Sequence, residues 1–159
     1  MGGGRMRCLI PTPDRRCHLT IGSMTPAAYG VEPALMRSHN GGMPHHTCCP
    51  VPSPTTWADT HVAVDGIMGI GREKRYSLAG EAGSRFWIEE WGYPPIGMYV
   101  ATCPSAGHDM IAFRESGPDG EARVVHVDQE WDYRITVLAP SFMSFVQALR
   151  PASDYEEED

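Results

Sequence analysis

Met110-Ile111-Ala112-Phe113-Arg114, then Gly117-Pro118-Asp119-Gly120, then Arg123-Val124-Val125-His126-Val127-Asp128 is the stretch that decides the fold. Two short apolar runs rich in β-formers flank a turn in which Pro presets one backbone angle and Gly tolerates the others. The pattern predicts a β-hairpin. Working backward, Cys103–Gly107 reads as a turn, and Ile96, Met98 and Val100 alternate as a half-buried strand requires. Before it, Ser77 is placed to cap a helix running to about Trp91, with Leu78, Ala82 and Phe86 at i, i+4 and i+8 and Trp87 and Trp91 widening that face. Gly92 and Pro94-Pro95 end it. From His61, the residues Val62, Val64, Ile67 and Ile70, interrupted by Gly66, predict one strand with a bulge. Working forward, a helix starts near Pro140 and buries Phe142, Phe145, Val146 and Leu149, and Pro151 closes it. These elements in this order give an α+β fold: a single, largely antiparallel central sheet with helices packed against it.

The flanks are less regular. Residues 1–28 are rich in Gly, Pro and Arg without a period and read as an irregular arm. A short helix around Pro33–Arg37 is expected to stop at Asn40-Gly41-Gly42, since Asn and Gly tolerate left-handed cap geometry. Pro44, Pro50, Pro52 and Pro54 predict an irregular surface loop over 43–58, so order is expected from His61 onward. The expected divisions are the arm (1–28), one domain (29–150) and an acidic tail (151–159). No internal repeat is visible. A chain of 159 residues has room for one core, and 42% hydrophobic with 21% charged residues fits a globular domain. No apolar run approaches the ~18–20 residues of a membrane span. Cys8-Leu9-Ile10 before Pro11 is too short for a secretory core, so a cytoplasmic protein with its five cysteines as thiols is expected.

The net charge of −7 is unevenly spread: residues 1–80 carry eight Lys/Arg against five Asp/Glu, and residues 81–159 carry five against fifteen. The acidic half should repel nucleic acid and attract a basic protein partner. Asp128, Glu130, Trp131 and Asp132 are the expected contact region, an aromatic set among carboxylates, with Glu115, Asp119 and Glu121 next.

Site chemistry is sparse. His45-His46-Thr47-Cys48-Cys49 resembles a metal cluster, but adjacent side chains diverge and no second ligand pair is in sight; no metal or cofactor is expected. Gly66-Ile67-Met68-Gly69-Ile70-Gly71-Arg72-Glu73-Lys74 has the wrong spacing for a phosphate loop or a dinucleotide fingerprint and reads as turn and bulge glycines. Cys103 with His108-Asp109 suggests a thiol nucleophile without the local signature of one, so His108 is expected to be a buried, hydrogen-bonded residue at a strand start. Glu89 and Glu90 point about 100° apart on a helix and read as a solvated face. Asp128-Gln129-Glu130-Trp131-Asp132 lacks the Gly and Glu of a calcium loop.

Glu90-Trp91-Gly92-Tyr93-Pro94, Gly107-His108-Asp109-Met110-Ile111, Gly117-Pro118-Asp119-Gly120-Glu121, Val124 to Glu130, Asp132-Tyr133-Arg134-Ile135-Thr136 and Leu138-Ala139-Pro140-Ser141-Phe142, in this order, resemble the SUKH superfamily of Smi/Knr-type proteins. Asn40-Gly41-Gly42 is similar to the family's turn after an early helix, and the likeness runs from about Tyr29 to Leu149. The resemblance implies an α+β fold, no catalysis and no catalytic residues to carry over. It implies a non-enzymatic binding protein: in bacteria, an immunity protein that neutralises a cognate toxin domain, often a nuclease, and in fungi a cell-wall regulator with an endogenous partner. The first is the leading expectation and a regulatory scaffold the alternative. The family's longer helical N-terminal region is replaced here by the Gly/Pro/Arg arm, read as a divergent or mis-started N-terminus.

Overall fold

A computed structural model describes residues 41–71, 73–114 and 122–156 of the chain. The arm, the expected helix at Pro33–Arg37, Asn40 and the Gly117–Gly120 turn lie outside the described residues. The two strands that flank this turn are present as predicted. β5 (Asp109–Arg114) and β6 (Arg123–Asp128) pair antiparallel from Asp109↔Asp128 to Arg114↔Arg123. Around them a five-stranded antiparallel sheet runs in the order β3-β4-β5-β6-β7, with β3 at Gly66–Ile67, β4 at Gly97–Thr102 and β7 at Arg134–Ala139.

β4 is buried along both faces up to Val100 and Ala101, where half-burial was expected from its alternation. The cause is cover on both sides of the sheet. On one side lies α1 (Ser84–Glu89) with the chain that leaves it: Trp87, Tyr93, Tyr99 and Tyr133 form a chain of ring contacts 5.1–6.0 Å apart. A bulge between Tyr99 and Ala101 frees the Tyr99 amide, which donates to Ser84 Oγ at 2.9 Å, so the first residue of α1 completes the hydrogen bonding of the bulge. On the other side lies α2 (Phe142–Ala148), capped by Ser141 Oγ accepting from the Ser144 amide at 3.1 Å, with Phe142 5.5 Å from Phe113. The predicted C-terminal helix is therefore observed, its cap supplied by Ser141, one residue after Pro140.

Three predicted elements differ. The helix from Ser77 to Trp91 shrinks to α1. Gly80 and Gly83 sit within 2.2 and 2.4 Å (measured to an added Cβ) of backbone carbonyl oxygens, so the chain coils in tight turns there; Ser77 Oγ donates to Lys74 O instead of capping a helix. The strand from His61 to Ile70 splits. β2 (His61–Ala63) pairs with β1 (Cys48–Pro50) in a separate two-stranded sheet, and the chain crosses at Val64-Asp65 into β3 of the main sheet. β1 itself lies inside the stretch expected to be irregular: Cys48 and Arg150 exchange backbone hydrogen bonds of 3.1 and 2.7 Å, which fix the strand despite Pro50. The acidic tail begins with a 3-10 turn at Ala152–Tyr155, with the Tyr155 ring 4.3 Å from His61.

The closest backbone approach predicts a stability effect. A Cβ on Gly97 would stand 1.7 Å from the Phe113 carbonyl oxygen, between paired strands, whereas one on Gly71 meets nothing within 4 Å among the described residues. Gly97→Ala is expected to cost about 3 kcal/mol or more in urea unfolding, and Gly71→Ala to stay within about 0.5–1 kcal/mol.

Candidate functional site

Antiparallel pairing brings the β4–β5 loop (residues 103–108) and the β6–β7 corner (residues 129–133) to the same end of the sheet. The two are joined: the Gln129 amide donates to the His108 carbonyl at 2.9 Å, and His108 Nδ1 meets Glu130 Oε1 at 2.6 Å. A third segment docks on them from β1–β2. The Thr56 amide donates to Asp128 Oδ2 at 2.9 Å, and Thr55 Oγ1 accepts from the Trp57 and Ala58 amides, so Trp57 is held 6.3 Å from the His108 ring. Trp91, two residues past the end of α1, lies at the same distance from the His108 ring.

The corner is an unusual turn. After a 3-10 turn at Gln129–Trp131, Asp132 (φ 52°) and Tyr133 (φ 57°) are both left-handed, a conformation that L residues other than Gly adopt only at a cost. Packing holds it. The Tyr133 ring lies 5.3 Å from Tyr93, and its hydroxyl oxygen accepts from Gln129 Nε2. The turn presents Trp131 outward, and the Arg134 guanidinium lies 4.2 Å from that ring while donating to Ser53 Oγ. Trp57 and Trp131 are each 48% exposed, large apolar surfaces standing out of a fixed frame.

Of the residues singled out from sequence, Glu130, Trp131 and Asp132 are exposed together at this end. Asp128 is 2% exposed; its carboxylate faces inward and serves the Thr56 amide. Glu115, Asp119 and Glu121 lie outside the described residues. Trp57, His108 and Arg134 join the face and were not read as part of it; a lone Trp in a Pro/Ser/Thr loop with no apolar period was the available signal.

The chain matches the SMI1 / KNR4 family (SUKH-1) over residues 34–148. It belongs to that family. No curated protein and no solved structure matches it. Membership makes this SUKH-1 chain, at a coarse level, an immunity-like or Smi/Knr-type binding protein. Among the described residues no helix is long and apolar enough to cross a membrane.

Under the face of this SUKH-1 chain lies a buried polar cluster. His126, in β6, donates through Nε2 to Asp109 Oδ2 at 2.7 Å, and both side chains are buried. The buried histidine is thus His126, whereas His108, expected to be the buried one, is 45% exposed at its side chain and bound to Glu130. Cys103 stands beside Asp109: burial pushes its thiol well above the ordinary value, and the Asp109 carboxylate adds to the rise. Such a thiol stays protonated at neutral pH, and the Cys103–His108 nucleophile arrangement is not assembled. Burial raises the Cys49 thiol to about 11, while His45 and His46 are exposed, so that earlier cluster does not converge either. Tyr93 and Tyr99 hydroxyls, also raised by burial, donate to the Gly107 and Pro94 carbonyls at 2.7 and 2.8 Å and pin the loops around the cluster.

The two histidine–carboxylate contacts differ in burial and so in worth. His126→Leu leaves the Asp109 charge buried and unpaired and is expected to cost about 3–5 kcal/mol in urea unfolding, partly recovered by adding Asp109→Asn. Glu130→Gln, at a pair about half exposed, is expected to change stability by no more than about 1 kcal/mol.

Proposed function

We propose that this chain is an immunity protein that neutralises a cognate bacterial toxin domain by direct, non-covalent binding, with the end of the sheet carrying Trp57, His108, Glu130, Trp131 and Asp132 as its contact face. One observation carries the reading: two half-exposed tryptophans stand at the same end of the sheet, each on a segment fixed by internal hydrogen bonds. Rigid aromatic anchors contribute disproportionately to protein interfaces, because little side-chain freedom remains to be lost on binding. The surrounding charge supports a basic partner. The C-terminal half is strongly acidic, and Glu130 and Asp132 flank Trp131. A nuclease domain is basic where it grips phosphate, so an acidic face with central aromatics suits its occlusion. Family membership supports the binding role without naming the partner.

The test is co-expression of the chain with the C-terminal domain of the toxin-like protein encoded nearest to it, scored by host survival and co-purification. Survival with a stable complex is expected. Trp57→Ala and Trp131→Ala should each weaken the complex by about 2 kcal/mol or more, some thirtyfold. Glu130→Lys should act mainly on the association rate and most strongly at low salt. Unchanged affinity in both tryptophan variants would remove the face from the proposal. Survival without any complex would favour a regulatory scaffold with an endogenous partner.

A further inference from the structure

Cys103 follows the last residue of β4, Asp109 opens β5 and His126 lies within β6, yet one donor atom of each falls within 4.8 Å of the others, and all three side chains are buried. Their polar capacity is not used up by the protein. Among the described residues Asp109 Oδ1 and His126 Nδ1 have no hydrogen-bond partner, nor has Oδ1 of Asp128, which stands across from Asp109 in the β5–β6 register. Buried polar atoms are costly without partners, and such orphans ask for a group that would satisfy them. We propose that Cys103, Asp109 and His126 form a binding site for a divalent transition metal, zinc by preference.

The donor set favours that choice. One sulfur, one imidazole and one carboxylate are borderline-soft ligands of the kind zinc takes, and hard cations would prefer oxygen alone. Zinc ligands at about 2.0–2.3 Å from the metal stand roughly 3–4 Å apart, so drawing donors that span 4.8 Å onto one ion requires movements of about an ångström. Charge balances as well. Coordination forms a metal–sulfur bond and releases the Cys103 thiol proton to solvent; the thiolate and the Asp109 carboxylate then cancel the charge of the ion, as burial demands. Asp128 lies outside the set that converges within 4.8 Å and holds the Thr56 amide, so a water molecule would complete the tetrahedron. Two of the three donors sit on paired central strands, so the scaffold holds them. No short motif betrays the set, because its members lie on three different elements.

Donors this deep are reached while the chain folds, so the experiment refolds the full chain with chelator and then with Co(II). One Co(II) per chain is expected, with a thiolate-to-cobalt charge-transfer band and visible bands of tetrahedral intensity, both bleached by Zn(II). Cys103→Ser should abolish the charge-transfer band and Asp109→Asn weaken binding about a hundredfold, while Cys48→Ser/Cys49→Ser keeps the band. A folded wild-type chain without the band, or a band undiminished in Cys103→Ser, would overturn the proposal. Zinc-edge absorption on the wild-type chain does not depend on any variant folding. One sulfur with nitrogen and oxygen neighbours is expected, and two or more sulfurs would put the metal elsewhere and overturn the assignment.

Discussion

The hydrogen bond from His126 to Asp109 ties the two central strands at the point where both loops carrying the exposed tryptophan face leave the sheet. Its surroundings depend on it in sequence. Asp109 begins β5 directly after His108, and Asp128, two residues beyond His126, holds the Thr56 amide and hence the loop carrying Trp57. A buried polar pair is rarely worth more than an apolar replacement of the same shape, but it accepts only one geometry. Here that geometry fixes how the β4–β5 loop, the β6–β7 corner and the 53–58 loop meet.

The apolar cover explains why this arrangement can stay buried. Rings from α1 and the following segment close one side of the sheet, and Phe142 and Phe145 of α2 close the other. Gly107 (φ +98°) lies so close to Trp87 that a Cβ would stand 2.7 Å from the indole, so the loop and the helix are packed to contact. The face is thus a rigid end of a double-covered sheet, and its two tryptophans, like Tyr76 elsewhere, are rings that the core does not use.

The β5–β6 pair could be read from the sequence because its information is local: two apolar runs and turn chemistry between them. The C-terminal helix was equally plain, since Phe142, Phe145 and Leu149 keep helical spacing. β7 escaped because Arg134, Thr136 and exposed Val137 break its apolar pattern, and its start depends on two left-handed residues that no propensity favours. The overlong helix from Ser77 came from counting apolar positions and neglecting Gly80 and Gly83 between them. The proposed contact face could be read only in part. Glu130, Trp131 and Asp132 are neighbours in the chain, but Trp57 reaches them through a hydrogen bond spanning 72 residues. Of the two histidines, His126 carried the better signal for burial: it sits among valines in a strand, where an imidazole must find a partner.

The left-handed pair Asp132–Tyr133 has a consequence for how such a face can diversify. Tyr133 faces the core and sets the path of the corner, while Glu130, Trp131 and Asp132 face outward from it. Drift in the outward residues can therefore explore new partners while the backbone that displays them stays put. The inward tyrosine is the opposite kind of position: replacing it would redirect every side chain on the corner at once. If the proposed face is the one that binds, recognition and architecture are separated within five consecutive residues, and one scaffold can follow a changing partner without being rebuilt.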